Sequence, residues 1–336
     1  MKLIQALLVL LAVCTAASAQ TPSTSSEPAP SSPKGQAYPT KPIRLVVGFA
    51  PGGAADIISR IIADPLGRAL GQSIIIDNKP GAGSSLAVEF VAKSAPDGYT
   101  ILIASQSGMI VNPVINPKIG YNTERDFVPI TKVTVSPLVV AVNPALPVHS
   151  VRDLIAEAKK APGKLNVASS GNGSLPHLAA ALFSAQTGVE MVHVPYKSGG
   201  QSVQSVLAGD TQVTFATSPS VLPLVQAGRL RALAVTSRER TPLVQGLPGM
   251  EEAGLANYEV TIWYGLFAPA GTPAEIVRRL FEATALTLQN SNLKQALARD
   301  GTETAGSRSP GEFAGFVRED ARLWTQVIRS SGAKFD

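Results

Sequence analysis

Apolar and polar positions along this chain follow a repeating rhythm of short strand and then helix. Ile43-Arg44-Leu45-Val46-Val47 is an apolar, β-branched run that predicts a buried strand, and residues 57–66 carry apolar side chains at helical spacing. The rhythm continues with a strand at 73–77, a helix at 86–93 and a strand at 99–104. A further apolar strand at 138–144 ends in Asn-Pro, after which Ser150 reads as the N-cap of a new helix. Strand and helix then pair again, at 165–168 with 176–186, 192–194 with 199–208, and 213–216 with 219–227. A strand at 230–235 and a long β-rich run at 258–267 follow, and 273–288, 293–299 and 310–328 are patterned as helices. Such alternation predicts an α/β fold on parallel sheet with both faces covered. The crossing after 138–144 and the return through 258–267 predict two domains. The first is discontinuous, 38–143 with 264–336, and the second is 144–263.

Ligands of such sheets bind outside the carboxyl ends of the strands, so the strand-to-helix turns carry the functional reading. The first is Gly48-Phe49-Ala50-Pro51-Gly52-Gly53-Ala54-Ala55-Asp56. Pro51 stiffens it, Gly52 and Gly53 remove side chains that would keep a ligand off the backbone, and the helix start supplies unpaired N–H groups with partial positive charge. An anion suits such a turn. Ala50, Gly52 and Gly53 are the expected backbone donors. Asp56 has two readings, a ligand-facing carboxylate or a helix N-terminal charge that orders its own helix. The stretch is not a phosphate-binding P-loop, because Ala54-Ala55 stand where Lys-Ser/Thr must follow, and no G-x-G-x-x-G is present. Asn78 to Ser85 is a second glycine-rich turn, and Ser105-Gln106-Ser107 closes a third strand. The second domain opens as the first does, with Ser169-Ser170-Gly171-Asn172-Gly173-Ser174 leading into a helix that Ser174 can cap. Two turns of one chemistry, one per domain, predict a cleft with anion-binding donors on each lip. Ser170, Gly173 and Ser174 are the expected donors of the second lip. Phe49, Tyr196 and Trp263 are candidate apolar walls, and Ser218 lies in the loop after the strand at 213–216.

Composition narrows this reading. Met1-Lys2, an apolar core from Leu3 to Val13 and Ala17-Ser18-Ala19 make the three parts of a secretory signal, with cleavage before Gln20. Cys14, the one cysteine, lies inside that segment. A lipoprotein signal would place a small residue before it, where Val13 stands. The expected mature chain therefore has no disulfide, thiol chemistry or Cys-ligated metal. Residues 20–37 are rich in Ser, Pro and Thr and are expected to form a disordered spacer. The formal net charge of +5 is a mild bias toward anionic ligands. Aromatics at 5% and no Lys/Arg cluster interleaved with them argue against nucleic acid.

Catalysis has little support. G-x-S-x-G and the β-lactamase set are absent, and no paired carboxylates stand at glycosidase-like spacing. An exported serine hydrolase is the competing reading, because His177 follows Ser174 by three residues and faces the same side of its helix. A satisfied helix histidine is the plainer account. His149 and His193 read as isolated, and no H-x-x-x-H spacing supports a metal, so neither metal nor cofactor is expected. A purely structural exported protein would not need two matching donor-rich turns.

Further blocks along the chain carry a resemblance. Tyr38-Pro39, Pro51-Gly52-Gly53, Asp56, Asn78-Lys79-Pro80-Gly81-Ala82-Gly83 and Ala95-Pro96-Asp97-Gly98-Tyr99-Thr100 occur in that order. His193-Val194-Pro195-Tyr196-Lys197, Leu230 to Thr236 and Gly265-Leu266-Phe267-Ala268-Pro269-Ala270-Gly271-Thr272-Pro273 continue it. Together they resemble the Bug family, extracytoplasmic solute receptors of tripartite tricarboxylate transporters, from about Tyr38 onward. The resemblance implies a type II periplasmic binding protein, a two-domain Venus flytrap. It would act as a periplasmic monomer that binds a small carboxylate and delivers it to membrane permease subunits. It also implies that the carboxylate is gripped between Phe49–Gly53 and Ser169–Ser174, partly through water. Three departures matter. Ala54-Ala55 replace a Ser or Thr common after the Gly-Gly pair, which leaves mainly backbone donors. Ala216-Thr217-Ser218 replace a common Asp-Asn, which weakens the case for an amino-acid ligand. Leu175-Pro176 are more apolar than the family's usual pair.

Overall fold

The computed structural model describes residues 38–330. The expected signal segment and spacer lie outside the described residues. From Tyr38 onward the chain packs as one unit. In chain order its elements are β1 (Ile43–Val47), α1 (Ala54–Leu70), β2 (Ile74–Asn78), α2 (Ser85–Ala92) and β3 (Thr100–Ser105). A π-helical turn, Ser107–Val111, runs into α3 (Asn112–Ile115), followed by α4 (Thr123–Asp126) and β4 (Phe127–Val142). Next come α5 (Val151–Lys160), β5 (Asn166–Ser169), α6 (Leu175–Thr187), β6 (Val192–Pro195), α7 (Gly199–Ala208), β7 (Val213–Thr217), α8 (Ser218–Gln226) and β8 (Arg231–Val235). The chain ends with β9 (Thr261–Pro269), α9 (Ala274–Leu288), α10 (Ser291–Arg299), β10 (Glu303–Thr304) and α11 (Pro310–Ser330).

The strands make one mixed sheet in the order β2-β1-β3-β9-β4-β7-β5-β6, with β8 and β10 also pairing β4. The expected parallel pairing holds at the flanks, β1 with β2 and β3, and β5 with β6 and β7. The centre is antiparallel, because β9 returns against β3 and β4, and β4 against β7 and β8. β4 is the strand that links the two parallel flanks of the sheet. It pairs β9 from Phe127 to Pro137 and β7 from Leu138 to Val142. Its first half escapes a sequence reading because Pro129 and Pro137 demote a strand. The structure accommodates Pro129 where the register to β9 shifts between Pro129 and Thr131. The turn Ser107–Val111 is likewise hidden, since Gly108 and Pro113 break the helical pattern.

Two aromatic clusters stand in the core. Phe183, Phe215 and Tyr258 form one, and Trp263, Phe267 and Phe313 form the other under α11. Full burial of such a side chain stabilises the fold by roughly 1.5–3 kcal/mol. Trp263 is therefore core, with its indole N–H donated to Asp320 Oδ2 at 2.7 Å.

Candidate functional site

The turn between β1 and α1 is built around Asp56. Its carboxylate, 3% exposed, accepts the Gly52 N–H at 3.0 Å, the Asn78 amide at 3.0 Å and Arg60 Nε at 2.9 Å. Burial pushes its pKa up, but Arg60, the Gly52 N–H and Asn78 together hold it below the usual carboxylate range. Asp56 is thus a charge that orders its own turn, with Gly52 in a left-handed conformation at φ +83°. The expected backbone donors are committed within the protein. Ala50 N–H reaches Lys197 O at 3.2 Å, Gly52 N–H reaches Asp56, and Gly53 N–H reaches Ala50 O at 3.4 Å. The first backbone bond of α1 runs from Ile57 N–H to Gly53 O. Helix geometry then leaves the N–H groups of Ala54 and Ala55 without an intrahelical partner.

On the facing turn, Ser174 caps α6 by accepting the His177 N–H at 3.3 Å. The His177 ring has a backbone partner of its own. Its Nδ1 accepts the Gly173 N–H at 3.2 Å. His193, which reads as isolated in the sequence, stacks on His177 with centroids 3.8 Å apart and planes within 2°. Its Nε2 lies 2.6 Å from Ser169 Oγ, and Ser169 Oγ also accepts the Gly171 N–H at 3.1 Å. Burial lowers the His177 pKa to about 3, with His193 adding to the effect, and lowers that of His193 to about 4. Two neutral imidazoles thus brace Ser169–Ser174 from behind.

The turns meet across the sheet. Leu175 N–H donates to Ser107 Oγ at 2.9 Å, and the Asn112 amide holds Gly83 O at 2.8 Å. Backbones touch where glycine permits it. A Cβ on Gly83 would fall 2.3 Å from Asn172 O, and one on Gly200 would fall 2.6 Å from Gly52 O.

Between these contacts lies a cavity of about 10 Å³, lined by Phe49, Gly53, Ala54, Ala55, Ser107, Ser170, Pro176, Gly199, Thr217, Ile262 and Tyr264. That is room for about one water. The first turns of α1, α6 and α7 border it through Ala54, Pro176 and Gly199, and Thr217, the N-cap of α8, adds a fourth helix start. The Ser107 hydroxyl accepts from Leu175 and keeps its own proton to donate. The Ser170 and Tyr264 hydroxyls make no hydrogen bond among the described residues, and burial pushes the Tyr264 pKa up, so it stays protonated. No charged side chain lines the cavity, and these donors suit an anion.

Of the expected residues, Phe49, Gly53 and Ser170 line the cavity. Ala50, Asp56, Ser169, Gly171, Asn172, Gly173 and Ser174 do not line it. Pro51, Gly52 and Tyr196 face an outer groove. Ser105 gives way to Ser107, and the Ser218 hydroxyl turns away to donate to Pro137 O at 2.8 Å. Sequence reasoning omitted Gly199, Thr217, Ile262 and Tyr264. A signal for the first was present, since Ser198-Gly199-Gly200 also follows a strand and opens a helix.

Comparison with known proteins places the chain in a family. The profile of the tripartite tricarboxylate transporter family receptor matches residues 58–333. The chain is 35% identical to Protein BugT of Bordetella pertussis over 298 residues, covering 88% of this chain and 91% of that one. A structure described as a periplasmic transporter superposes with a TM-score of 0.86 at 38% identity, covering 89% of this chain and 100% of that one. An R. palustris protein solved with adipate gives 0.85 at 36% identity, covering 88% and 99%. The chain belongs to the tripartite tricarboxylate transporter receptor family, the Bug proteins. Its fold is the mixed α/β, flytrap-like fold of periplasmic binding proteins, and the family consists of substrate-binding receptors rather than enzymes.

Proposed function

We propose that this receptor captures a small carboxylate in the cleft between its two halves and delivers it to the permease subunits of a tripartite transporter. The halves are 38–143 with 264–336 on one side and 144–263 on the other, and they close on the ligand as a monomer in the periplasm. The mature chain starts at Gln20, which the intact mass of a periplasmic fraction checks. One observation carries the reading: helix starts and unpaired hydroxyls converge on a cavity with no charged lining. The carboxylate sits against Ala54, Ala55, Ser107, Ser170 and Tyr264. Phe49 to Gly53 and Ser169 to Ser174 shape the lips behind them, and Asp56 and the histidine pair hold those lips in place. Adipate on a structural neighbour supports the ligand class.

The cavity as it stands is too small for such a ligand, so binding requires the lips to part and re-close. An amino acid is disfavoured because no carboxylate lines the cavity to meet its ammonium. A thermal-shift screen of acids against their neutral amides tests the proposal. At about 100-fold over Kd a ligand adds about 2.7 kcal/mol to the folded state, which raises Tm by several degrees. Equal shifts from an acid and its amide would refute the carboxylate reading.

A further inference from the structure

The helix starts that border the cavity are not equivalent as donors. On α6 the first three positions offer nothing. Leu175 N–H is spent on Ser107 Oγ at 2.9 Å, Pro176 has no N–H, and His177 N–H is spent on the Ser174 cap. Of the turn Ser169–Ser174, Ser170 alone lines the cavity. On α7, Ser198 and Gln201 make a reciprocal cap. Ser198 Oγ accepts the Gln201 N–H at 3.3 Å, and Gln201 Oε1 accepts the Lys197 N–H at 3.1 Å. The first backbone bond of this helix runs from Ser202 N–H to Ser198 O. Gly199 and Gly200 are thus left with N–H groups that have no intrahelical partner, and Gly199 lines the cavity. Across from it stand Ala54 and Ala55, the unpaired start of α1. The two starts come close, since a Cβ on Gly53 would fall 3.5 Å from Gly199 N. A second observation points to a ligand at the same place. Ser170 and Tyr264, 7% and 3% exposed, line the cavity with hydroxyls that have no hydrogen-bond partner among the described residues.

We propose that α7, rather than α6, supplies the second half of the anion grip. The ligand carboxylate bridges the N–H groups of Ala54 and Ala55 on one side and that of Gly199 on the other, with the Ser107, Ser170 and Tyr264 hydroxyls between them. The proposal rests on the carboxylate reading of the cavity. Two helix dipoles then end on one anion, and each favours negative charge at its start. The room for about one water between the two starts is the place of a carboxylate oxygen. The serine turn has a different task. Its Gly171 and Gly173 N–H groups are spent on Ser169 Oγ and the His177 ring, which fixes the turn that carries Ser170.

Proline at the first position of a helix deletes one N–H without breaking an intrahelical bond. The residues before Gly199 and Ala54 are extended, as a residue preceding proline must be. The probe is the tightest binder among acetate, succinate, adipate and benzoate, each titrated calorimetrically beside its neutral amide. Gly199→Pro is expected to bind it more weakly than Gly199→Ala by about tenfold or more, the loss of one charge-assisted hydrogen bond. Gly199→Ala carries the same Cβ, 2.9 Å from Ser220 Oγ, and keeps the N–H. Ala54→Pro makes the same deletion on α1 and is expected to lose as much against the parent, while the ligand-free Tm of each variant stays within a few degrees. Equal affinity in Gly199→Pro and Gly199→Ala would overturn the role of α7, and undiminished affinity in Ala54→Pro would overturn that of α1. Acids that bind no better than their amides would overturn the carboxylate reading instead.

Discussion

Gly200→Ala separates closure from folding, because its two effects have opposite signs. Gly200 lies in the first turn of α7, where its φ is not left-handed, so alanine suits the local backbone. Alanine is a better helix former than glycine by about 1 kcal/mol, so the isolated element gains stability. The added Cβ, however, would sit 2.6 Å from Gly52 O, and ordinary contact begins near 3.4 Å, so the lips must open by about 0.8 Å at this point. The nearby bond from Ala50 N–H to Lys197 O, already 3.2 Å, then stretches beyond hydrogen-bonding range. Loss of that bond costs about 0.5–1.5 kcal/mol, and the cavity donors draw back from the ligand together with the lips. The combined penalty on the closed, bound state is about 1–3 kcal/mol, or roughly five- to 150-fold in Kd. The assay is calorimetric affinity for whichever acid the screen identifies, read beside the Tm of the ligand-free variant. Gly315→Ala on α11 is the control, since a Cβ there meets nothing within 4 Å. Unchanged affinity in Gly200→Ala would refute the view that the glycine contact is part of closure. A ligand-free Tm that falls in step with affinity would refute the separation of closure from folding.

Asp56→Ala removes the acceptor of the Gly52 N–H and of one Asn78 amide proton, while the Asn78 amide keeps Phe49 O, and is expected to destabilise the fold by about 1–3 kcal/mol; Arg60, largely exposed, finds water and adds little. Chemical denaturation measures this, and a loss under about 1 kcal/mol would mean the turn holds without its carboxylate. Ser170→Ala and Tyr264→Phe each remove one hydroxyl donor and are expected to weaken acid binding about tenfold with little change in Tm, so undiminished affinity in both would place the carboxylate elsewhere. The histidine pair gives a pH dependence. Folded-state values of about 3 and about 4 lie below the unfolded value near 6.5, so its contribution is intact above pH 6.5 and is lost as pH falls toward 4 and then 3. The slope is at most about 1.4 kcal/mol per pH unit per histidine. A Tm that stays flat between pH 6.5 and 5, or a His193→Asn variant no less sensitive than the parent, would contradict this account.

Much of the local structure is legible along the chain. Helix starts at Ser150 and Ser174 follow from side chains that reach a backbone N–H three residues on, and the helix α7 runs over the residues that the pattern predicts. The two donor-rich turns were visible for the same reason, since Gly-Gly and Ser-Gly runs between strand and helix depend only on near neighbours. Which atoms face the ligand was not visible. Ala50 and Gly52 read as donors until Lys197 O and the Asp56 carboxylate are seen to occupy their N–H groups, and the first of these partners is distant in sequence. Ser107 rather than Ser105 lines the cavity because the chain turns out of β3 after Ser105 into a π-helical turn that Gly108 and Pro113 conceal. His193 lies on a strand and His177 on a helix, and they stack only because β6 pairs beside β5, the strand that leads into that helix. The first half of β4 was hidden by Pro129 and Pro137, and the structure accommodates Pro129 where the register to β9 shifts. Spacing along a chain determines what each segment can form alone. The partners of a backbone N–H, and the side of a cleft on which a hydroxyl ends, are decided by contacts between segments that meet only once the fold is complete.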